Sequence, residues 1–357
     1  MENRLPLPYI SALNRLYGYT PRQGLALLEK YRSSATVPGL PVEREETELA
    51  ELREKGVRLL SCLDEAYPRL LRETPDHPVG LYVTGVSRPG EIFGYERAVA
   101  IVGTRDISSY GIQWCQKIVR ALAAAAKRPV IVSGFAMGTD IIAQTEALRC
   151  GLKTIGVMPC GPDAVYPARH RDIAARLVRT KGCALVSDYP PGTPVMASNF
   201  IRRNRIIAGL SDAVILIESK RKGGGLITMD FALDYGRATY ALPGRVEDPC
   251  SEGCNVLIRR DKAELISDID SLIESLGLGL LVTERPADIN ALARQRYGAN
   301  ALTLRILQHI GRNRGATPEE ICRDLNIPYG TAVTETMRLE SDGFIGTDLL
   351  QRCFIAK

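Results

Sequence analysis

Ala98-Val99-Ala100-Ile101-Val102-Gly103-Thr104-Arg105 is the stretch on which the reading of this 357-residue chain turns. Five apolar residues with no polar alternation, closed by a glycine, read as a strand buried on both faces. A helical pattern over 112–126 follows, and the cycle then recurs. Apolar runs at 130–132, 154–158, 184–186, 213–217 and 239–242 alternate with helical patterns at 141–149, 172–178, 200–209 and 226–235. Six such strands in about 165 residues predict an α/β fold, a Rossmann-like doubly wound parallel sheet with helices on both faces.

Outward from that core, the flanks read differently. Residues 1–96 hold amphipathic stretches at 9–16 and 23–30, then a helix with Glu45, Glu46 and Glu48 near its start. They predict an N-terminal helical module and connector, with short strands or their approaches at 57–60 and 81–83. The central domain is placed at 97–275. Gly277, Gly279, Pro286 and Gly298 mark 276–300 as a linker. Over 301–357, helical patterns at 302–310, 318–325 and 331–340 precede possible strands at 344–346 and 353–355, the outline of a winged helix.

Composition narrows the function classes. Hydrophobic residues at 45% and charged residues at 24% are ordinary for a globular chain and exclude wholesale disorder. No run of 18 or more apolar residues occurs, so no membrane span is expected. The first residues lack a secretory-signal layout, and nine cysteines without a C-x-x-C pair suit a reducing compartment, so a cytoplasmic location is expected. Net charge is only +5, but its distribution is uneven. Residues 1–96 sum to −2, 97–262 to +10, 263–300 to −3 and 301–357 to zero. The whole excess sits on the central sheet, as a localised polyanion site requires.

Ligands of open α/β sheets bind beyond the carboxyl ends of the strands, so the loops there are the candidates. They read Gly103-Thr104-Arg105, then Ser133-Gly134-Phe135-Ala136-Met137-Gly138-Thr139-Asp140, then Pro159-Cys160-Gly161-Pro162-Asp163, then Lys220-Arg221-Lys222-Gly223-Gly224-Gly225. Glycines let a backbone approach an anion, and helix starts aim N–H groups at it. Neither G-x-G-x-x-G nor a Walker motif is present, so dinucleotide and P-loop nucleotide binding are unsupported. Arg202-Arg203-Asn204-Arg205, read near a helix beginning, is the strongest local signal: a phosphate-binding cluster, or an ion-pair cluster with Asp188 or Asp212. Asp140 reads as a helix cap or dipole partner rather than a catalytic acid. His77, His170 and His309 have no metal-ligand spacing, and Cys250 and Cys254 lack companions for a zinc site. Trp114 reads as helix–sheet core, and Tyr166-Pro167 as loop packing or a base-stacking element. No nucleophile triad or paired-carboxylate pattern is visible, so no enzyme activity, cofactor or metal is expected.

These residues together resemble the DNA-processing protein A (DprA/Smf) family of bacteria. The matching stretches begin with Gly103-Thr104-Arg105, Ser133 to Asp140, and Gly161-Pro162-Asp163-Ala164-Val165-Tyr166-Pro167. They continue with Arg203-Asn204-Arg205-Ile206-Ile207-Ala208-Gly209-Leu210-Ser211, Leu226-Ile227-Thr228, Gly236-Arg237, Pro243-Gly244 and Asn255-Val256-Leu257-Ile258. The flanks look like that family's SAM-like and winged-helix modules. The resemblance implies a cytoplasmic single-stranded-DNA-binding protein that protects incoming DNA and helps load the recombinase RecA in natural transformation, acting as a homodimer. It implies a phosphate site at Gly103, Thr104, Arg105, Ser133, Gly134, Gly138, Thr139, Arg202, Arg203, Asn204, Arg205, Gly223, Gly224, Gly225 and Thr228. Ala168 stands where that family usually has a basic residue, so Arg169 is expected to substitute. Met137, Gln144, Gly223, Gly225 and Cys254 stand where it commonly has Arg, His, Ser, Ser and Ser. A DNA-reading winged helix needs a basic recognition helix. Residues 331–340 carry Glu335, Arg338 and Glu340, so the tail is expected to make a protein contact or support a dimer. The alternative is an enzyme or nucleotide sensor resembling the lysine-decarboxylase-like nucleotide phosphoribohydrolases, whose P-G-G-x-G-T-x-x-E motif is matched only loosely by residues 222–230.

Overall fold

Strands over the apolar runs are the first thing the fold explains. The computed structural model describes residues 5–279, 289–298, 301–313, 315–348 and 351–355, and the chain divides into two compact units, Met1–Leu281 and Val282–Lys357. In the first unit three helices come first, α1 (Leu7–Tyr17), α2 (Pro21–Tyr31) and α3 (Glu43–Glu54). Then come β1 (Val57–Ser61), α4 (Arg69–Arg72), β2 (Gly80–Thr84) and α5 (Pro89–Phe93). The repeating part runs β3 (Ala98–Val102), α6 (Ser109–Ala124), β4 (Val130–Ser133), α7 (Thr139–Arg149), β5 (Thr154–Val157) and α8 (Arg171–Arg179). It continues with β6 (Ala184–Ser187), α9 (Ala197–Gly209), β7 (Ala213–Leu216), α10 (Gly224–Asp234) and β8 (Ala238–Ala241). The unit ends with α11 (Glu252–Arg259), β9 (Glu264–Leu265) and α12 (Ile269–Ser275).

The sheet has nine strands among the described residues, in the order β1-β2-β6-β5-β4-β3-β7-β8-β9. Strands β3 to β8 pair in parallel, with Val99 opposite Ala213 on one side and Ile131 on the other. Period-two alternation is present but apolar on both faces. Ala98, Ala100 and Val102 pack into one core with Ile206 and Ile207 of α9, while Val99 and Ile101 pack into another with Ile118 and Leu122 of α6. That double burial is why the strands read as unbroken apolar runs. The expected Rossmann-like order holds, with the strand order reversing at β3, between β4 and β7.

Residues 1–96, expected as a separate module, share one compact unit with this sheet. Strands β1 and β2 form a hairpin that joins the sheet, β2 pairing antiparallel with β6 through Tyr82 opposite Ser187. Helix α1 is bound to the hairpin by Asn14, whose side-chain amide donates to the Gly80 carbonyl at 2.7 Å and accepts from the Gly80 N–H at 3.1 Å.

Helices α6 and α7 are tied across the sheet face by Glu146, which pairs with Arg120 at 2.6 Å and Arg149 at 2.5 Å. The Arg149 and Arg120 guanidiniums pull the Glu146 carboxyl down to about 2. A carboxyl depressed in the folded state contributes stability that is present above its unfolded value of roughly 4.3 and lost as pH falls towards 2. Glu146→Gln should therefore unfold at lower denaturant than the parent at neutral pH. That gap should shrink between about pH 4.5 and pH 2 in urea titrations; a gap independent of pH would contradict the assignment.

In the second unit, α13 (Ile289–Tyr297) lies inside the stretch 276–300 expected as a linker, and α14 (Leu302–Arg312) packs against it. Leu276 and Leu278 at the other end of that stretch are buried in the first unit's core. Residues 280–288 and 299–300 lie outside the described residues. Helices α15 (Pro318–Leu325) and α16 (Tyr329–Ser341) and a hairpin of β10 (Ile345–Thr347) with β11 (Cys353–Ile355) complete the unit around Leu304, Leu307, Ile321 and Leu339. Helix α15 starts where its sequence says it should: Thr317 caps the Glu320 N–H, the Glu320 carboxylate returns to the Thr317 N–H at 3.0 Å, and Pro318 opens the first turn.

Candidate nucleic-acid interface

The reversal of strand order opens a crevice at the carboxyl edge of the sheet, and there a cavity of about 720 Å³ is found. Loops after four strands build it. Gly103 to Asp106 follow β3, Ala136 and Asp140 follow β4, Tyr166 follows β5, and Lys220 and Lys222 to Gly225 follow β7. Helix α9 supplies Ala197, Phe200, Ile201, Arg203, Asn204 and Ile207, and α10 supplies Ile227 and Thr228. Helix α10 starts at Gly224, with Gly223 before it in extended backbone. Its N-terminal end, bare of side chains across Gly223, Gly224 and Gly225, forms part of the wall, a favourable place for an anion.

The α9 residues on this wall recur every three or four positions, one face of a helix. That period separates the Arg202-Arg203-Asn204-Arg205 run, because successive residues turn by about 100°. Helix α9 begins at Ala197, five residues before Arg202, so the run lies mid-helix rather than at its start. Arg202 points to the N-terminal helices, donating to the Gly18 carbonyl and to the Tyr19 carbonyl at 2.8 Å, with its guanidinium 4.5 Å from the Tyr19 ring centre. Arg205 is buried on another side, paired with Asp188 and donating to the Asp76 carbonyl at 2.6 Å. The ion-pair reading with Asp188 therefore describes Arg205; Asp212 instead pairs with Arg97 at 3.1 Å.

Arg203 lines the cavity floor but is almost wholly buried, at 3% exposure. It donates to the Gly134 and Val157 carbonyls at the ends of β4 and β5. A side chain at Gly134 would meet its guanidinium at 2.6 Å, so glycine there makes room for the arginine rather than for a ligand. Burial pushes the Arg203 guanidinium down to about 10, the nearby Asp140 opposing the shift. Burial likewise raises the Asp140 carboxyl, with Arg203 pulling it back. Asp140 accepts from the Ala136 N–H at 3.3 Å and braces the loop before α7. The N-cap position is Gly138, with no side-chain cap, so Asp140 is not the cap but an acid in the first turn, where the dipole favours it.

The structure thus brings Gly103, Thr104, Arg105, Arg203, Asn204, Gly223, Gly224, Gly225 and Thr228 into one wall. Seven other expected residues do not line it. Ser133 is turned inward, donating to the Ile101 carbonyl at 2.6 Å. The Gly134 carbonyl holds Arg203. Gly138 has φ of +75° and sits where a Cβ would be 2.4 Å from the Thr104 carbonyl oxygen, so it lets two loops touch. Thr139 donates to that same carbonyl at 3.1 Å. Arg202 and Arg205 are committed as described. Arg169 is exposed on the short helical turn Ala168–His170, also off the wall.

Beyond Tyr166, read from sequence as loop packing or a base-stacking element, the wall carries an apolar and aromatic lip that the sequence left unmarked. Arg105, exposed, stacks over the Phe200 ring at 4.6 Å, and Phe200 meets Tyr166 edge-on at 5.4 Å. Beside them Val195, Met196 and Ile201 are 40%, 43% and 49% exposed. The signal was there in helical spacing, since Phe200 and Ile201 precede Asn204 by one turn and Ile207 by two. The exposed cations of the wall are Arg105, Lys220 and Lys222, against Asp106. Asp230, the nearest match to the phosphoribohydrolase acid, is exposed and off the wall. Among the described residues no group of three or more His, Cys, Asp or Glu is placed to hold a metal ion, and no helix is long and apolar enough to cross a membrane.

A doubly wound parallel sheet with a basic, glycine-edged, aromatic-lipped cavity at its strand-order reversal defines a Rossmann-like protein. A sequence profile for DNA recombination-mediator protein A matches residues 58–277, and the chain belongs to that family, DprA/Smf. Protein Smf of Escherichia coli is 33% identical over 301 residues, 84% of this chain and 78% of that protein. The X-ray structure of DNA processing protein A from Streptococcus pneumoniae superposes with a TM-score of 0.65 at 31% identity, covering 76% of this chain and 98% of that one. The Helicobacter pylori DNA processing protein A, described for its single-stranded DNA binding mode, superposes at 0.55 with 31% identity, covering 62% and 95%.

Proposed function

We propose that this protein binds single-stranded DNA in the cavity at the carboxyl edge of its sheet and acts as a non-catalytic recombination mediator. The observation that carries the reading is the composition of that wall: Arg105, Lys220 and Lys222 with the bare backbone of Gly223 to Gly225, and an aromatic and apolar lip on which Arg105 stacks. Phosphates are met by the cations and by the N-terminal end of α10. Bases lie against Tyr166, Phe200 and Ile201, a sequence-tolerant contact because every base has a flat apolar face. The H. pylori relative's single-stranded DNA binding supports the same ligand here.

On this reading the protein protects incoming single strands in the cytoplasm and hands them to RecA, as the family resemblance implies, working as a homodimer without cofactor or metal. Residues 1–96 serve as a SAM-like module and 97–275 as the DNA-binding domain. Residues 301–357 serve as a winged-helix module. In it Glu335 accepts from Thr303 and Arg338 lies 5.0 Å from the Tyr297 ring centre. A recognition helix whose charges are spent on its own unit suits a protein contact better than a duplex.

The full-length chain titrated into labelled oligo-dT across a salt series tests the proposal. Log affinity should fall linearly with log salt, by about 0.7 for each phosphate neutralised, and a mixed-sequence strand should bind comparably. Binding that ignores salt, or preference for duplex over single strand, would reject it.

A further inference from the structure

The surplus charge of the central segment is carried differently from what its arginine run implies. Arg202, Arg203 and Arg205 are consumed by carbonyls and by Asp188. The exposed cations are elsewhere. Residues 169–181 hold Arg169, Arg171, Arg176, Arg179 and Lys181, all exposed, against a single acid, Asp172. Among the described residues none of the five has a carboxylate within ion-pair distance.

Compensation within the helix is partial. Asp172 offsets Arg171 in the first turn of α8 and the dipole favours cations in the last turn, but Arg176 and Arg179 there are like charges three positions apart. The other side of α8 is already spent, since Ala174 and Leu177 are buried against Met158, Cys183 and Leu185. What α8 leaves exposed is mainly charged, Arg171, Arg176 and Arg179 with Asp172 and the small Ala175. Arg171 to Arg179 spans about 12 Å at 1.5 Å per residue. One strand of stacked DNA carries a phosphate every 3.4 Å or so, so that length meets about three or four. The loop leading into α8 passes the cavity wall at Tyr166, three residues before Arg169.

We propose that single-stranded DNA leaving the cavity past Tyr166 runs along the outer face of α8, its phosphates held by Arg169, Arg171, Arg176, Arg179 and Lys181. The proposal rests on the cavity being the primary DNA site. It makes α8 a second contact that only a longer strand reaches.

The test uses the full chain and two oligo-dT lengths, about six nucleotides, enough for the cavity, and about twenty, enough for both. In the double variant Arg176→Glu with Arg179→Glu, the short strand should bind within about twofold of the parent. The long strand should bind about 20-fold or more weakly, with a salt slope shallower by about 1.4. Arg176→Gln with Arg179→Gln should give an intermediate loss, and the thermal midpoints of all three proteins should agree. Unchanged affinity for the long strand overturns the proposal, as does an equal loss on both lengths or an equal loss on duplex of the same length. Charge-dependent capture by phosphatidylserine vesicles with long-strand binding intact would assign the face to a membrane and overturn it as well. If the parent binds neither oligomer, the cavity reading itself fails, and the α8 track with it.

Discussion

Arg203→Met should cost about 3–5 kcal/mol of folding stability, and DNA binding should be lost only as far as the fold is lost. The guanidinium is buried, and it bridges the ends of two parallel strands by donating to the Gly134 and Val157 carbonyls. Its removal leaves both carbonyls without that donor, each a penalty of about 1–3 kcal/mol when buried. It also removes the positive charge that offsets the burial of Asp140. Urea unfolding followed by circular dichroism measures the loss, and Arg203→Lys should recover little of it, because one ammonium cannot reproduce the planar fork. A Met variant as stable as the parent but unable to bind DNA would show instead that Arg203 is a ligand-contacting residue.

Arg105→Glu should do the opposite. The side chain is exposed and stacked on Phe200, and no carboxylate depends on it in an ion pair among the described residues. Unfolding midpoints should therefore stay within about 0.5 kcal/mol of the parent. Losing one phosphate contact near 0.1 M salt weakens binding roughly fivefold, and reversing the charge roughly doubles the effect on the logarithmic scale, so affinity should fall about 20-fold. Arg105→Ala should lose about fivefold and flatten the salt slope by about 0.7. Binding that survives the reversal intact would remove Arg105 from the interface. The contrast between two arginines on one cavity wall, one structural and one exposed to ligand, is the sharpest check on how the site is built.

The alternating scheme of the sheet was legible because the strands are buried on both faces and so stand out as short apolar runs between helical patterns. The four loops after β3, β4, β5 and β7 were legible for the same reason, since the rule for open sheets points at them. The arginine run misled because adjacency in a helix is not proximity: Arg202, Arg203 and Arg205 leave α9 in three directions. The start of α9 was hidden too, since Met196 precedes it and no side chain caps it. Helix α13 was missed because the surrounding glycines and proline dominate that stretch. Strands β1 and β2 were half-visible as apolar runs, but the pairing of β2 to β6 spans about a hundred residues that no local pattern encodes.

That hairpin has a consequence for how the protein can be taken apart. Strand β6 is the last parallel member on its side, and the hydrogen-bonding row it offers is occupied only because β2 lies along it and β1 beyond. Cutting the chain at 96/97 would strip that cover and present an open, apolar ladder to the solvent, the kind of edge on which chains associate indiscriminately. The front hundred residues are thus not an accessory that can be trimmed or exchanged at will: they are the selvedge that keeps the weave from catching on its neighbours.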